Sequence, residues 1–400
     1  MNILLALYVI FQVLVGFNLV FPLGLLGLSA VLKTVGKKEK GHAPESRQAE
    51  PDYAIVITAY GQADTVPAAL ESVKRLQYEH YLVYVVADHC DVPELREKDD
   101  RVIILRPEKV LANNVKSHFY AIERFRRRHD RLVIVDSDNL VHPGLLRALN
   151  QWFERGYRAV QGVREAKNLD TVFACLDAAR DIYYHFYDGK ALFGAGSSAT
   201  LSGSGMAFDV ALYRECLGGK EVPGAGFDKV LQAEIVSRDL RIAYAPEAIV
   251  YDEKTAAGAQ LVKQRARWIN TWFRYFKLGF GIAGQGVRNA SSNQLLFGLV
   301  LLRPPLFIFL LLSLGFTILN LVFFPAAGYA WLAGLFCFVM GFAIAMARSS
   351  ADPRIIRSLY AIPSFVYYQV RALLKTGRAG KLSVATREGA ADLNHNSENP

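Results

Sequence analysis

The chain opens on an apolar run without a single charged residue from Asn2 to Leu32. A helix needs roughly 20 residues to cross the hydrocarbon core, so the run predicts one spanning helix. Its lysines, Lys33, Lys37, Lys38 and Lys40, follow the run instead of leading it. That order argues against a cleaved leader and places the following domain in the cytoplasm. Residues 41–50 read as a polar linker. Beyond them the pattern changes to short apolar runs at 53–58, 81–87, 101–105 and 131–135, which predict buried strands. Helix-like segments at 65–76 and 114–127 separate most of them. This alternation predicts an α/β domain with a mainly parallel sheet covered by helices on both faces, its ligands gathered at the carboxyl ends of the strands. A less regular second half is expected to add strands near 199–208 and 249–251 and a helix near 228–240.

After Trp268 the chain stays aromatic and basic through Lys277 and then turns strongly apolar, interrupted at Arg303, Pro304 and Pro305. The prolines mark a break between elements. Two spans are expected at 306–324 and 330–347, with 295–302 either interfacial or the start of the first. A pair of crossings returns the C-terminus to the side of the domain. Residues 359–375 mix Tyr, Phe and Leu with Arg371 and Lys375, as a surface-lying helix does, and the polar tail 376–400 is expected to be disordered.

Composition sharpens this picture. Charged residues make up 21% of the 400-residue chain although 52% of it is hydrophobic, which fits a soluble domain joined to membrane helices. The net charge of +9 raises the question of nucleic acid, but the basic residues cluster beside apolar segments. Lipid headgroups and diphosphates are the expected anionic partners, and no nucleic acid is. Four scattered cysteines, Cys90, Cys175, Cys216 and Cys337, form no CxxC pair, so neither a zinc site nor a disulfide framework is predicted and a reducing compartment fits.

Asp136 and Asp138 stand two positions apart after a very apolar strand, where a divalent Mg²⁺ or Mn²⁺ would relieve their repulsion and keep positions open for phosphate oxygens. Alone, DSDN also fits a turn and helix start. Asp88, in VADHCD, could accept hydrogen bonds from a nucleotide or simply close a turn. Lys116 lies at a helix start, where a cation implies a nearby anion unless it is only solvated. The Gly- and Ser-rich stretch 194–206 matches no phosphate loop; it reads as a mobile loop or as a close-approach wall for a sugar ring. Asp228 opens a helix, either as its cap or as a catalytic base. His89, His118, His142 and His185 show no metal spacing. In QRARW, Gln264, Arg267 and Trp268 offer an amide, a fixed cation and a flat ring, suited to a diphosphate beside a sugar or to an interfacial anchor.

Taken in order, VITAY (56–60), VADHCD (86–91), DSDN (136–139), SGSGMAF (202–208), GFDKVLQAE (226–234), YAPEAIVYDE (244–253) and QRARW resemble the membrane-bound members of glycosyltransferase family 2, the synthases of cellulose, chitin, hyaluronan and poly-N-acetylglucosamine. The resemblance spans about 53–277. It implies a GT-A-type domain at 51–257 and interfacial helices at 258–293. Transmembrane helices at 294–350, an amphipathic segment at 351–376 and a tail at 377–400 would follow the N-terminal helix and flank at 1–40. It further implies that Tyr60 and Asp88 contact uridine and that Lys116 lies near the nucleotide. Asp136 and Asp138 would address the diphosphate and its metal, and Asp228 would be the base. Ser202, Gly203, Gln264, Arg267 and Trp268 would lie by the acceptor and the diphosphate. The implied activity is an inverting UDP-sugar-dependent hexosyltransferase that makes a β-linked glycan or glycolipid on the cytoplasmic face of the plasma membrane, with export or assembly proteins as partners. The competing reading is a non-catalytic membrane scaffold or transport component. Three departures from the family pattern stand out: Ala87 where a first Asp is common, Gln62 where Glu is usual, and Phe227 where the family has Glu.

Overall fold

The computed structural model describes residues 3–35, 50–90, 99–256 and 258–379. The linker and most of the tail expected from the sequence lie outside these residues. Eight strands form one sheet: β1 Tyr53–Tyr60, β2 Tyr81–Asp88, β3 Val102–Leu105, β4 Arg131–Asp136, β5 Leu140–Val141, β6 Ala159–Ala166, β7 Met206–Asp209 and β8 Ile242–Asp252. Their spatial order is β3-β2-β1-β4-β7-β6-β8-β5. The first four are parallel neighbours, Ile55 lying between Val83 and Val133, and every side chain from Tyr53 to Ile57 is fully buried. Runs this apolar form strands because both faces are covered by helices.

The sheet is mixed, which corrects the mainly parallel arrangement expected. β7 runs antiparallel to both β4 and β6, while β6 and β8 are parallel and β5 is antiparallel to β8. The cause is connectivity. Only a few residues separate β4 from β5, yet β5 pairs at the far edge, so the sheet curls until its last strands close over the end of β4. That curl brings the end of β8 to the end of β4.

Helix Val172–Tyr184 continues into a π-helical turn, His185–Ala191, and packs this second half onto the membrane helices. Its link is an ion pair: Arg303, at the break before Leu306–Phe323, meets Asp188, and both side chains are buried. Tyr187 adds a hydrogen bond from Oη to the carbonyl of Gly341 at 2.8 Å. Three helices, Ile3–Thr34, Leu306–Phe323 and Pro325–Arg348, are long and apolar enough to cross a membrane, and they expose residues such as Ile3 (76%) and Phe323 (68%). Between them Gln12 accepts hydrogen bonds from Asn320 (2.6 Å) and Trp331 (2.8 Å), a polar tie inside an apolar bundle. The third span starts at Pro325 rather than 330 because proline supplies its first turn. Segment 295–302 belongs to a separate helix, Ser292–Leu302, and the last helix, Ile362–Ala379, extends past the expected start of the tail.

His118 ties the helices behind the sheet together from inside. Its Nδ1 lies 2.7 Å from the Tyr213 hydroxyl and its ring meets Phe227 edge-on at 5.0 Å, so Phe227 fills apolar space where the family pattern has an acid. Burial pushes the His118 imidazole down to about 3. The unfolded chain accepts a proton near 6.5 that the folded chain refuses. The stability held by neutral His118 is therefore complete above pH 6.5 and is lost as pH falls from there toward 3, by up to about 1.4 kcal/mol per unit. Unfolding midpoints across this window should fall less steeply in His118→Phe than in the wild type; parallel curves would contradict the assignment.

Candidate active site

β4 carries four fully buried apolar side chains to its end and then delivers Asp136 at the mouth of the curled sheet. The Asp136 amide donates to Ser204 Oγ at 3.1 Å, and the Gly205 amide donates to the Ile134 carbonyl at 2.9 Å. Gly205 is held at φ +64 with Val250 only 3.0 Å from where a Cβ would stand, so a side chain there would displace this backing. Burial, then the charge of Asp138, pushes the Asp136 carboxyl up to about 7, against the pull of Arg164 and Arg267. Asp138 is raised by burial and then by Asp252. Arg267 is lowered by burial while Asp136 and Asp138 hold it up. Two acids and one guanidinium thus converge from β4 and from the helix Gly258–Tyr275, more than a hundred residues apart in sequence.

Beside Asp138, the Asn139 amide donates to Asp138 Oδ1 (2.9 Å) and lies 3.4 Å from Asp252 Oδ1. Asn139 is 1% exposed, and its own Oδ1 has no hydrogen-bond partner among the described residues. Among those residues no three His, Cys, Asp or Glu side chains form a cage that would hold a metal unaided. The set still fits a hard divalent cation of the Mg²⁺ or Mn²⁺ kind, which takes one or two carboxylates and completes its shell with water and phosphate oxygens.

The remaining sequence-derived residues fall in three places. Tyr60 and Asp88 line a small crevice of about 40 Å³ at the ends of β1 and β2, shared with Thr58, Asn113 and Ser117. Both Asp88 oxygens already accept backbone hydrogen bonds, from Leu111 (3.0 Å) and Ala112 (2.7 Å), so this side chain shapes the crevice by holding the facing loop. Lys116 stands outside the crevice lining on the next helix, exposed, its amide bonded to the Asn113 cap at 3.1 Å.

In the Gly- and Ser-rich stretch, Gln161 and Gln232 accept from the amides of Ser202 and Leu201, both at 2.9 Å, which fixes the segment against the sheet. Gly203 sits at φ +93 with open space before it, and the Ser202 hydroxyl is buried without a partner among the described residues. Asp228 begins helix Phe227–Ser237 and pairs with Lys229 at 3.0 Å; Lys229 also donates to the Leu201 carbonyl. Gly226, just before this helix, abuts Thr271 and Tyr275, so the start of the helix bearing Asp228 rests on the helix bearing Arg267.

QRARW lies on that helix. Gln264 accepts from the Thr255 hydroxyl at 2.8 Å, and the Trp268 face carries two guanidinium groups, Arg265 at 4.3 Å and Arg180 at 4.6 Å. Arg265, the second residue of the motif, is buried in an ion pair with Asp177. No sequence pattern assigned Arg164, Asp177, Asp181 or Lys254 to this region, and Asp252 and Arg265 stood out only as members of YAPEAIVYDE and QRARW, without a role of their own. The available signals were the YDE that ends β8, the extra arginine in QRARW and the i, i+4 acids of helix Val172–Tyr184.

The curled mixed sheet with acids at the end of a central strand is GT-A-like, and residues 51–271 make the chain a nucleotide-sugar-dependent glycosyltransferase in class. Residues 51–271 match the family described as "Glycosyltransferase like family 2", and the chain belongs to that family. A mannosyltransferase from Pyrobaculum calidifontis, solved with GDP-Man and Mn²⁺, is similar at 15% identity with a TM-score of 0.49, over 90% of this chain and 97% of that one. No curated protein matches.

Removing one charge of the pair separates stability from binding. Asp138→Asn relieves a like-charge repulsion, so in EDTA it should melt higher than the wild type by roughly 2–4 °C, the equivalent of about 1 kcal/mol. Mn²⁺ with UDP should then stabilise the wild type and leave the variant unchanged. A variant that melts lower in EDTA and still responds to Mn²⁺ would contradict this account of the pair.

Proposed function

We propose that the protein is an inverting UDP-sugar-dependent hexosyltransferase acting at the cytoplasmic face of the plasma membrane on a glycan or lipid-linked acceptor. What supports this reading is the placement of Asp136 and Asp138 together at the mouth of the curled sheet, held by Ser204 and Asn139, with the charge of Arg267 acting on both. A site that strains two acids and supplies one fixed cation suits a cation-bridged diphosphate better than it suits any neutral ligand. Lys33 sits in the last turn of the first span, in keeping with a cytoplasmic domain.

In this mechanism Tyr60 borders the crevice over whose mouth the uracil and ribose lie, with Asp88 holding the loop opposite and Lys116 approaching the nucleotide from the helix start. Asp136 and Asp138 would hold Mg²⁺ or Mn²⁺, which when bound neutralises the diphosphate. Ser202 and Gly203 line the sugar, where the absent side chain leaves room and the unpartnered hydroxyl can donate. Asp228 takes the proton from the acceptor hydroxyl as its oxygen bonds to the anomeric carbon. The bond from that carbon to the diphosphate oxygen breaks, and its electron pair leaves with UDP beside Arg267. Backside attack converts an α-linked donor into a β-linked product. Gln264 and Trp268 fix the helix that presents Arg267. Positioning and charge stabilisation supply most of the acceleration.

Membranes containing the protein, incubated with radiolabelled UDP-glucose, UDP-N-acetylglucosamine, UDP-galactose or GDP-mannose with and without Mn²⁺, test this directly. One UDP-sugar should label polymer or lipid extract only when the cation is present, and Asp138→Ala and Asp228→Asn should each lower incorporation at least about 100-fold. Labelling from GDP-mannose alone would overturn the donor, and incorporation indifferent to both substitutions would favour the non-catalytic scaffold.

A further inference from the structure

The acids at the end of β4 and the QRARW helix come from separate parts of the chain, yet a short run after β8 touches both. Asp252, the last residue of β8, shares the Asn139 amide with Asp138. Thr255 donates to Gln264 at 2.8 Å. Between them Lys254 is 3% exposed, its ammonium 2.6 Å from Asp181 and 3.0 Å from Asp252. Its backbone is gripped on both sides by Asn168, whose Oδ1 accepts from the Lys254 amide at 2.6 Å and whose Nδ2 donates to the Lys254 carbonyl at 3.1 Å.

The Lys254 ammonium also belongs to a longer chain of charge. Arg164 lies 3.4 Å from Asp181 and 3.6 Å from Asp252. Arg180 joins Asp181 at 2.5 Å and Asp177 at 3.5 Å, and Asp177 pairs with Arg265 of the QRARW helix. Arg180 and Arg265 both lie over Trp268. Charges and rings thus run without a break from the Asp138 carboxylate to the residue beside Arg267. Replacing such a network with apolar side chains commonly stabilises a protein, so stability alone is a weak reason for burying it. Fixing the geometry of two half-sites is a stronger one.

We propose that Lys254 is a positioning residue: by holding Asp252 and Asp181 together, it sets the separation between the Asp136/Asp138 carboxylates and Arg267 and so fixes the site for a cation-bound diphosphate. This rests on the metal reading given under Proposed function. Lys254 touches no substrate; it acts through Asp252 and Asn139 on Asp138, and through Asp181, Asp177 and Arg265 on the helix.

The test uses the full chain in detergent, with Mn²⁺ and UDP as probes and thermal stabilisation as the readout. Lys254→Met should raise the Mn²⁺ concentration for half-maximal stabilisation at least about tenfold, as loss of an outer partner does at metal sites. Lys254→Met/Asp181→Asn removes one charge of each sign and keeps the buried region neutral. It should recover much of the melting temperature lost by the single variant and none of the Mn²⁺ response, while Lys254→Arg should recover part of that response. If the double variant restores stability and Mn²⁺ half-saturation together, or if Lys254→Met titrates like the wild type, the positioning role is overturned. A wild type that shows no Mn²⁺ response at all overturns the metal reading, and this proposal with it.

Discussion

A carboxylate in an apolar interior must be neutralised, paired or bridged, and β4 with the turn after it brings two of them to the same mouth of the sheet. The rest of the site can be understood as the answer to that constraint. Arg164 and Arg267 approach from opposite elements, Asn139 ties Asp138 to Asp252, and Ser204 accepts the amide of Asp136. What these partners leave undone is visible in the Asp136 carboxyl, still held near 7. The protein therefore keeps a demand for positive charge at the place where a diphosphate and its cation would arrive. Fold stability and donor affinity are opposed there, as is common where a site stores electrostatic strain.

The membrane helices serve the same end. Asp188 on the π-helical turn meets Arg303 where the chain enters the second span, and the Asp188 carbonyl also accepts from Thr200 of the Gly- and Ser-rich stretch at 3.0 Å. The Gly- and Ser-rich stretch is thus tied through one residue, Asp188, to the helix hairpin. On the opposite side, the final helix Ile362–Ala379 packs along Gly258–Tyr275, with Ala372 and Phe307 buried against Val262 and Ala266. The helix that presents Arg267 is thereby held between the sheet domain and the last helix.

How far this was legible in the sequence depended on where each residue found its partner. β1, β2 and β4 were readable because both of their faces are covered, which leaves unbroken apolar runs with charges at the ends. β6 was not, since Arg164 and Glu165 break its apolar pattern and Arg164 is spent on acids elsewhere. The four-residue β7 falls at the end of the strand expected near 199–208, but nothing in its pattern shows the antiparallel direction that makes the sheet mixed. Asp177 and Asp181, four apart on a helix, look like a solvated face; their partners Arg265 and Lys254 lie 88 and 73 residues away. Arg303 read only as a break between spans. The DSDN and QRARW motifs were visible as chemistry, but their meeting was not, because it depends on the curl of the sheet.

The central claim is that Asp136, Asp138 and Arg267 hold one cation-bridged diphosphate. Electron–nuclear double resonance on the detergent-solubilised protein with Mn²⁺ and UDP addresses it without any knowledge of the sugar or acceptor. The account predicts bound Mn²⁺ coupled to the ³¹P nuclei of the diphosphate, lost in Asp136→Asn/Asp138→Asn and weakened in Arg267→Lys. Mn²⁺ that shows no phosphorus coupling, or a signal that survives removal of both carboxylates, would contradict it.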